Sequence, residues 1–157
     1  MKPNIGLTPK KIEGATNLLS IVLSNEVMLY TKTRKFHWNI AGESFMELHK
    51  LFEVHYKELE EAIDEVAERI SKLGSKAIGT TKEFAKHSIV KETPGEYPTS
   101  KEMIKELLAD HEQVLIQMRD FIKESTEKLD DAGTADLLTK ILQTHETIAW
   151  TLRRYFI

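Results

Sequence analysis

The chain has 157 residues, 41% of them hydrophobic and 30% charged, with a formal net charge of −3 at pH 7. This length and composition are typical of one folded domain. The mild acidity argues against a strongly basic protein that binds nucleic acid or a membrane surface. The lack of cysteine excludes disulfides, thiolate metal sites and thiol chemistry. No apolar run is long enough for a signal core or a membrane span, so we expect a cytoplasmic protein.

The first half of the chain has the apolar spacing of two long helices. The first begins at Thr8-Pro9 and ends near residues 39–42. Thr8 is a capping residue, and proline is common at the first helical position that follows a cap. The second begins at Ser44, with Glu47 three residues later predicting a capping box, and ends at Leu73-Gly74. The short link between them predicts an antiparallel hairpin.

The second half predicts another hairpin. Its first helix is capped by Thr99 with Glu102, and its second begins near Thr134 and continues to the chain end. Residues 75–98, which link the two hairpins, are too many for a plain loop, and Thr81–His87 is predicted as a short helix within them. Two hairpins joined by one long crossover describe an all-α, ferritin-like four-helix bundle that forms a single domain over residues 1–157.

The two N-terminal helices carry apolar residues outside their main stripes. A helix that is apolar on two faces is usually covered on both. We therefore expect a partner subunit to cover the second faces, with wide packing inside one subunit as the alternative. The residues concerned are Leu18, Leu23, Val27 and Tyr30 in the first helix, and Leu51, Val54 and Ile63 in the second.

Two histidines and two carboxylates in the first hairpin form a candidate metal-ligand set: His37, His49, Asp64 and Glu68. Imidazoles combined with carboxylates suit a redox-active metal such as iron. On one continuous helix, however, the 15 residues between His49 and Asp64 correspond to about 22 Å, which no single metal spans. Either the four residues have unrelated roles, or the histidines of one subunit face the carboxylates of another. Glu53 lies close to the face of Asp64.

The segment HWNIAGESFMELHKLFEVHYKELEEAIDEVAERISKLG, residues 37–74, resembles the signature of the Dps family, the mini-ferritins that protect DNA during starvation. The resemblance continues through AIGTT at 77–81, YP at 97–98, DDAGTADLL at 130–138 and the closing AWTLRRYF, and covers nearly the whole chain from about Lys11. The family's ferroxidase set is a His, a second His twelve residues later, an Asp fifteen residues after that and a Glu four residues further. This sequence matches that set at every position. Glu-x-x-His, the ligand spacing of ordinary ferritin sites, occurs nowhere in the sequence.

The resemblance implies a site shared by two subunits that pair about a two-fold axis. His37 and His49 of one subunit would face Asp64 and Glu68 of the other, with Glu53 near a second metal. It also implies a homo-dodecameric shell that oxidises Fe(II), with hydrogen peroxide as the family's usual oxidant and dioxygen as a second one. The shell would store Fe(III) oxide and so protect against oxidative damage. Zinc or another divalent metal is an alternative occupant of the site.

Acidic pores and DNA binding are two further features of the family. Asp130, Asp131 and above all Asp136 fall where the family lines the pores through which iron enters, although a polar loop and a helix start would favour acids there too. Only Lys2 is charged before the first helix, and tight phosphate binding needs several cations. We therefore expect weak or absent DNA binding, although a shell with twelve weak sites leaves avidity open. The alternative is a DNA-compacting protein of the same fold without enzymatic activity.

One polar set is not explained by the resemblance. The predicted core stripes of the four long helices each contain one chemically active residue near the helix midpoint. If the registers are right, the four side chains converge at the centre of the bundle. They form either a buried polar network or a second metal site, within one subunit, for zinc or iron. The residues are Glu26, His55, His111 and His145.

Overall fold

A computed structural model describes residues 3–157, which form five α-helices and a closing 3₁₀ turn and contain no strand. The helices are α1 (Pro9–Asn39), α2 (Phe45–Lys72), α3 (Thr81–His87), α4 (Ser100–Glu127) and α5 (Ala132–Arg153), and the 3₁₀ turn is Arg154–Phe156. Every predicted helix is therefore present, and each begins within about two residues of its predicted start. The last helix is shorter than predicted, because α5 ends at Arg153 and a 3₁₀ turn follows it instead of helix to the chain end. None of the helices in this part of the chain combines the length and the apolarity that a membrane span needs.

The helices are arranged as two hairpins. The helices α1 and α2 pack along each other and are joined by only residues 40–44, while α4 and α5 form the second hairpin. The long connection from α2 to α4 contains α3, which packs against α1. Because each short link returns the chain beside the preceding helix, the partners run antiparallel and the whole forms the predicted ferritin-like four-helix bundle.

Helix caps explain most of the boundaries. The side chains of Thr8 and Thr99 accept hydrogen bonds from the first turns of α1 and α4, and Thr99 forms the predicted capping box with Glu102. The predicted capping box at Ser44 is wrong, because its backbone (φ −97°, ψ 24°) is not extended and its side chain makes no capping bond. The carboxylate of Glu47 accepts a hydrogen bond from the hydroxyl of Tyr155 instead.

Part of the second apolar face is covered within the subunit. Leu18 and Leu23 are only 4% and 2% exposed and belong to a core cluster that also contains Val90 of the crossover. The expectation that a partner subunit covers these two residues is therefore wrong, because they are buried in the core of their own subunit, to which the crossover contributes. Val54 remains 45% exposed on the outside of α2, whereas Ile63 is half-buried.

The apolar core consists of two clusters, one toward each end of the bundle. Between them lies a buried polar layer at the level of His55, His111 and His145, one residue from each of α2, α4 and α5. Glu26 of α1 is also buried and bonds to His145 in this layer. The convergence of these four side chains, expected from the helix registers, is thus present in the fold.

Candidate metal centre

The turn between α1 and α2 brings His37 and His49 together. The Nδ1 atom of His37 lies 2.7 Å from the carbonyl oxygen of His49, and the Nδ1 atom of His49 lies 2.9 Å from the carbonyl oxygen of His37. The two rings stack with their centroids 3.7 Å apart. His37 is buried at the end of α1, and the Tyr56 ring packs against it in a T-shaped arrangement with the ring centroids 5.2 Å apart.

These reciprocal bonds set the tautomer of both rings, that is, which ring nitrogen carries the proton. A carbonyl oxygen only accepts hydrogen bonds, so each Nδ1 must be the donor. In the neutral rings the Nε2 atoms are therefore unprotonated and carry a lone pair available to a metal. A backbone carbonyl that holds one nitrogen of a histidine while the other binds metal is a common arrangement around metal ligands. Both Nε2 atoms of the histidine pair are thus able to act as metal ligands.

The carboxylate pair lies elsewhere on the same helix. Asp64 and Glu68, one turn apart, are exposed on α2, and Glu68 accepts a hydrogen bond from Lys72 at 3.0 Å. Because α2 is continuous from Phe45 to Lys72, this pair is about 22 Å from His49 along the helix axis. Within residues 3–157, no three His, Asp or Glu side chains are placed to hold a metal ion together. One subunit therefore contains two separate pairs of candidate ligands rather than a complete metal site.

Glu53 lies on α2 between the histidine pair and the carboxylate pair, and two lysines bond to its carboxylate. It bonds to Lys50 at 2.8 Å and to Lys57, and these two bonds lower the pKa of its carboxyl group to about 2. Sequence reasoning missed these partners, although their spacing of three and four residues from Glu53 on a helix is a readable signal. Glu53 is ionised throughout the physiological range, and it would have to exchange a lysine for a metal to act as a ligand.

The comparisons with known proteins agree with this architecture. Residues 16–156 match the family model of the ferritin-like domain. The DNA protection during starvation protein 2 of Bacillus anthracis is 37% identical over 129 residues, which are 82% of this chain and 86% of that protein.

The chain belongs to the Dps family.

Two further relatives extend this result. An uncharacterized low temperature-induced protein of Nostoc sp. is 41% identical over 97% of this chain and 85% of its own length. The crystal structure of a Dps protein from Vibrio cholerae superimposes with a TM-score of 0.92 at 30% identity and covers 100% of this chain and 98% of that one. That structure is described as a member of a superfamily of ferritin-like diiron-carboxylate proteins. The Dps fold therefore extends over the part of the chain that the structure describes.

The acidic residues at the start of α5 differ in their surroundings in this Dps-family subunit. Asp130 and Asp136 are exposed. Asp131 is only 4% exposed, caps α5 through Thr134, and bonds to Arg69 at 2.6 Å. The carboxylate of Asp131 is bonded within the subunit and is not free to contact iron. The presence of an acid at this position is therefore explained by the polar loop and the helix start. Asp136 keeps its predicted place in a pore as a proposal.

The central cluster of the Dps-family subunit is a hydrogen-bonded chain. Nε2 of His145 lies 2.8 Å from Oε1 of Glu26, and Nδ1 of His145 lies 2.7 Å from Nδ1 of His111. Nε2 of His55 lies 3.3 Å from the hydroxyl of Thr151, a partner that sequence reasoning missed. Burial lowers the pKa of His55 to about 4 and that of His111 well below its usual value. Both rings are therefore neutral near pH 7.

The buried histidines predict that the stability of the subunit falls as the pH is lowered. His55 is protonated near pH 6.5 in the unfolded chain but only near pH 4 in the folded one, so the unfolded state binds more protons in this window. We expect His55 alone to lower the free energy of unfolding by about 2 kcal/mol from pH 7 to pH 5. Urea unfolding at pH 7, 6 and 5 measures this loss. His55→Gln should reduce the pH dependence, and His87→Gln, at an exposed histidine of α3, should leave it unchanged. An identical dependence in both variants would contradict the assignment.

Proposed function

We propose that this Dps-family protein is a ferroxidase and iron store, with its iron sites between subunits. His37 and His49 of one subunit would bind iron together with Asp64 and Glu68 of its partner, and Glu53 would lie near a second metal. The proposal is supported above all by the histidine pair, whose Nδ1 atoms are held by carbonyl oxygens so that both Nε2 lone pairs are free. The matching carboxylates lie too far along α2 to belong to the same site in one subunit.

The donor set suits the oxidation of iron. Neutral imidazoles bind Fe(II) without adding charge, and two carboxylates stabilise the higher charge of Fe(III). With hydrogen peroxide as oxidant, two Fe(II) ions each give one electron, the O–O bond is broken and two protons are taken up. The products are two Fe(III) ions and two water molecules, so peroxide is consumed without releasing hydroxyl radical. Dioxygen is the alternative oxidant. Iron is the substrate here, and zinc or another divalent metal would compete for the same ligands.

Storage would follow inside a closed shell. We propose that twelve subunits enclose a cavity in which Fe(III) oxide nucleates, and that Asp136 lines the pore through which iron enters. Several large apolar side chains remain exposed on the isolated subunit, among them Trp38 and Met46 beside the histidine pair in the sequence. An exposed apolar surface of this kind is common where subunits meet. A cytoplasmic shell of this type would protect the cell against the combination of iron and peroxide.

The initial rate of Fe(II) oxidation by hydrogen peroxide tests the proposal. In Asp64→Ala/Glu68→Ala, we expect a rate at least about 100-fold below wild type, because even residues that only orient metal ligands change activity by 10- to 100-fold. Glu61→Ala/Glu65→Ala removes two carboxylates one turn apart on the same helix and serves as the matched control, with a rate near wild type. Assembly of each variant is checked by its size in solution. Equal rates in both variants would refute the ferroxidase site.

DNA compaction by the same fold is the competing function, and we propose that DNA binding is weak or absent. Lys2 lies outside the described residues. At the start of α1, Lys11 is paired with Asp130 at 3.3 Å, which reduces the charge available to phosphate. We expect a gel shift of plasmid DNA at low salt at most, and none at about 0.15 M salt, because counterion release makes such contacts strongly salt-dependent. Retention at physiological salt would favour the DNA-compacting alternative.

A further inference from the structure

We infer that Tyr56 is a positioning residue of the iron site. It holds the ring of His37 in the orientation that metal binding needs, and Arg34 in turn holds Tyr56. This inference rests on the ferroxidase function proposed above, and it adds two residues that are not metal ligands. Three observations support it: the freedom that the hydrogen bond of His37 leaves to its ring, the aromatic contacts of that ring, and the cation packed against Tyr56.

The hydrogen bond of His37 does not fix its ring completely. The Nδ1 atom is held 2.7 Å from the carbonyl oxygen of His49, whereas Nε2, the nitrogen available to a metal, lies on the opposite side of the ring. A bond at one atom sets the position of that atom but leaves the tilt of the ring plane free. A metal ligand has to be held to within about 10–20° of its productive direction, which requires packing around it as well. The contacts of the ring therefore matter for iron binding.

Two other rings restrict the tilt of His37. The ring of His49 stacks with it at 23° between planes, with the centroids 3.7 Å apart. The ring of Tyr56 meets it at 75° with the centroids 5.2 Å apart, an arrangement that aromatic pairs prefer. A change in the tilt of His37 would disturb both contacts at once. Of the two neighbouring rings only Tyr56 is not a candidate ligand, so its contact is available whether or not a metal is bound.

Tyr56 is held by a cation and by a second tyrosine. The guanidinium carbon of Arg34 lies 4.8 Å from the centroid of the Tyr56 ring. It also lies 5.4 and 5.3 Å from the ring centroids of Tyr30 and Trp38. Cations within about 6 Å of an aromatic centroid are attracted to the ring. Arg34 also donates a hydrogen bond to the hydroxyl of Tyr30, whose ring meets that of Tyr56 at 89°. Arg34 thus joins Tyr56 of α2 to α1, the helix that carries His37.

These residues lie outside the apolar core. In residues 3–157, Tyr56 belongs to neither of the two core clusters, and both Tyr56 and Arg34 are half-buried. Nε of Arg34 has no hydrogen-bond partner in this part of the chain, so its guanidinium is placed by the rings and by the hydroxyl of Tyr30. Because substitutions away from the core usually have small effects on stability, variants at both positions are expected to fold.

The kinetics of Fe(II) oxidation by hydrogen peroxide in assembled shells test the positioning role. In Tyr56→Leu, we expect the KM for Fe(II) to rise by about 10-fold with kcat nearly unchanged, because a misoriented ligand weakens binding of the substrate and of the transition state alike. A merely structural role would reduce the number of intact sites, and so would lower kcat at an unchanged KM. Tyr56→Phe keeps the ring and should have the wild-type KM. Tyr97→Leu, which removes an exposed tyrosine packed against Lys35, is the matched control and should have wild-type kinetics.

Arg34→Met tests the role of the cation. It removes the charge but keeps an unbranched side chain and every ring, so we expect the KM for Fe(II) to rise, by less than in Tyr56→Leu. A cation that acted only through its charge would repel Fe(II), and its removal would lower the KM instead. An unchanged or lower KM in Arg34→Met would therefore overturn the role of Arg34. An unchanged KM in Tyr56→Leu would overturn the whole inference.

Co²⁺ binding measures the same effect without turnover. Assembled shells are freed of metal with a chelator and titrated with Co²⁺, whose visible absorption reports coordination by imidazole. Bands that are lost in His37→Ala/His49→Ala shells belong to the interface site. We expect these bands in wild-type shells, and a dissociation constant about 10-fold higher in Tyr56→Leu. Equal dissociation constants in wild type and Tyr56→Leu would overturn this inference alone, whereas absence of the bands from wild-type shells would contradict the proposed iron site as well.

Discussion

Shells co-assembled from two inactive variants are expected to regain Fe(II) oxidation. The first variant, His37→Ala/His49→Ala, keeps its carboxylates, and the second, Asp64→Ala/Glu68→Ala, keeps its histidines. In a two-fold pair of one subunit of each kind, one of the two sites combines intact histidines with intact carboxylates, whereas the other has neither. A site built within one subunit would gain nothing from such mixing, so recovery is specific to a shared site.

The size of the recovery follows from the pairing. With equal amounts and random assembly, half of the pairs are mixed and each has one complete site, so about a quarter of the wild-type rate is expected. The two variants are unfolded together, refolded and assayed as initial rates with hydrogen peroxide. Mixing shells that are already assembled is the control and should restore nothing. Failure to recover activity, in shells shown to contain both variants, would contradict the shared site.

Asp131→Ala is expected to destabilise the subunit by about 2–4 kcal/mol. Asp131 is buried, and its carboxylate accepts hydrogen bonds from Arg69 at 2.6 Å and from the backbone N–H and the hydroxyl of Thr134 at 3.1 and 2.6 Å. Its loss removes an N-cap, which typically costs about 1 kcal/mol, and leaves the guanidinium of Arg69 without its carboxylate. The estimate lies below that for a fully buried ion pair because Arg69 is partly exposed.

Urea unfolding at a fixed protein concentration measures this loss. Asp136→Ala, which removes an exposed carboxylate one turn later in α5, is the matched control and should change stability by less than about 0.5 kcal/mol. Asp131→Asn should lie between the two, because the amide still accepts a capping bond but no longer neutralises Arg69. Stability of Asp131→Ala equal to that of Asp136→Ala would contradict the role assigned to this residue.

The helices and their order were predictable because their signals are local. Thr8 and Thr99 cap helices through bonds to residues three positions away, and Gly74 ends α2 with a φ of +84°, which favours glycine. The apolar spacing of each helix, likewise, depends only on neighbours within two turns. The long crossover with its short helix followed from its length, and with two hairpins it left few arrangements other than a ferritin-like bundle.

The metal-ligand candidates were predictable as a set but not as a geometry. The distance from His49 to Asp64 follows from the helix rise alone and already shows that the two pairs cannot bind one metal within a subunit. Each ring of the histidine pair donates a hydrogen bond to the carbonyl of the other residue, across the turn between α1 and α2. These two bonds set the tautomer of both rings. No spacing in the sequence encodes that orientation, because it depends on how two helices meet.

The sequence by itself determined the helices, the bundle, the family and the set of candidate metal ligands. Only the tertiary structure decided what each polar or apolar side chain touches. It showed that Leu18 and Leu23 share a core cluster with Val90 of the crossover, that Glu47 bonds to Tyr155, and that Asp131 bonds to Arg69. The physical reason is range: caps and periodicity act within a few residues, whereas these contacts join residues about 60 or more positions apart.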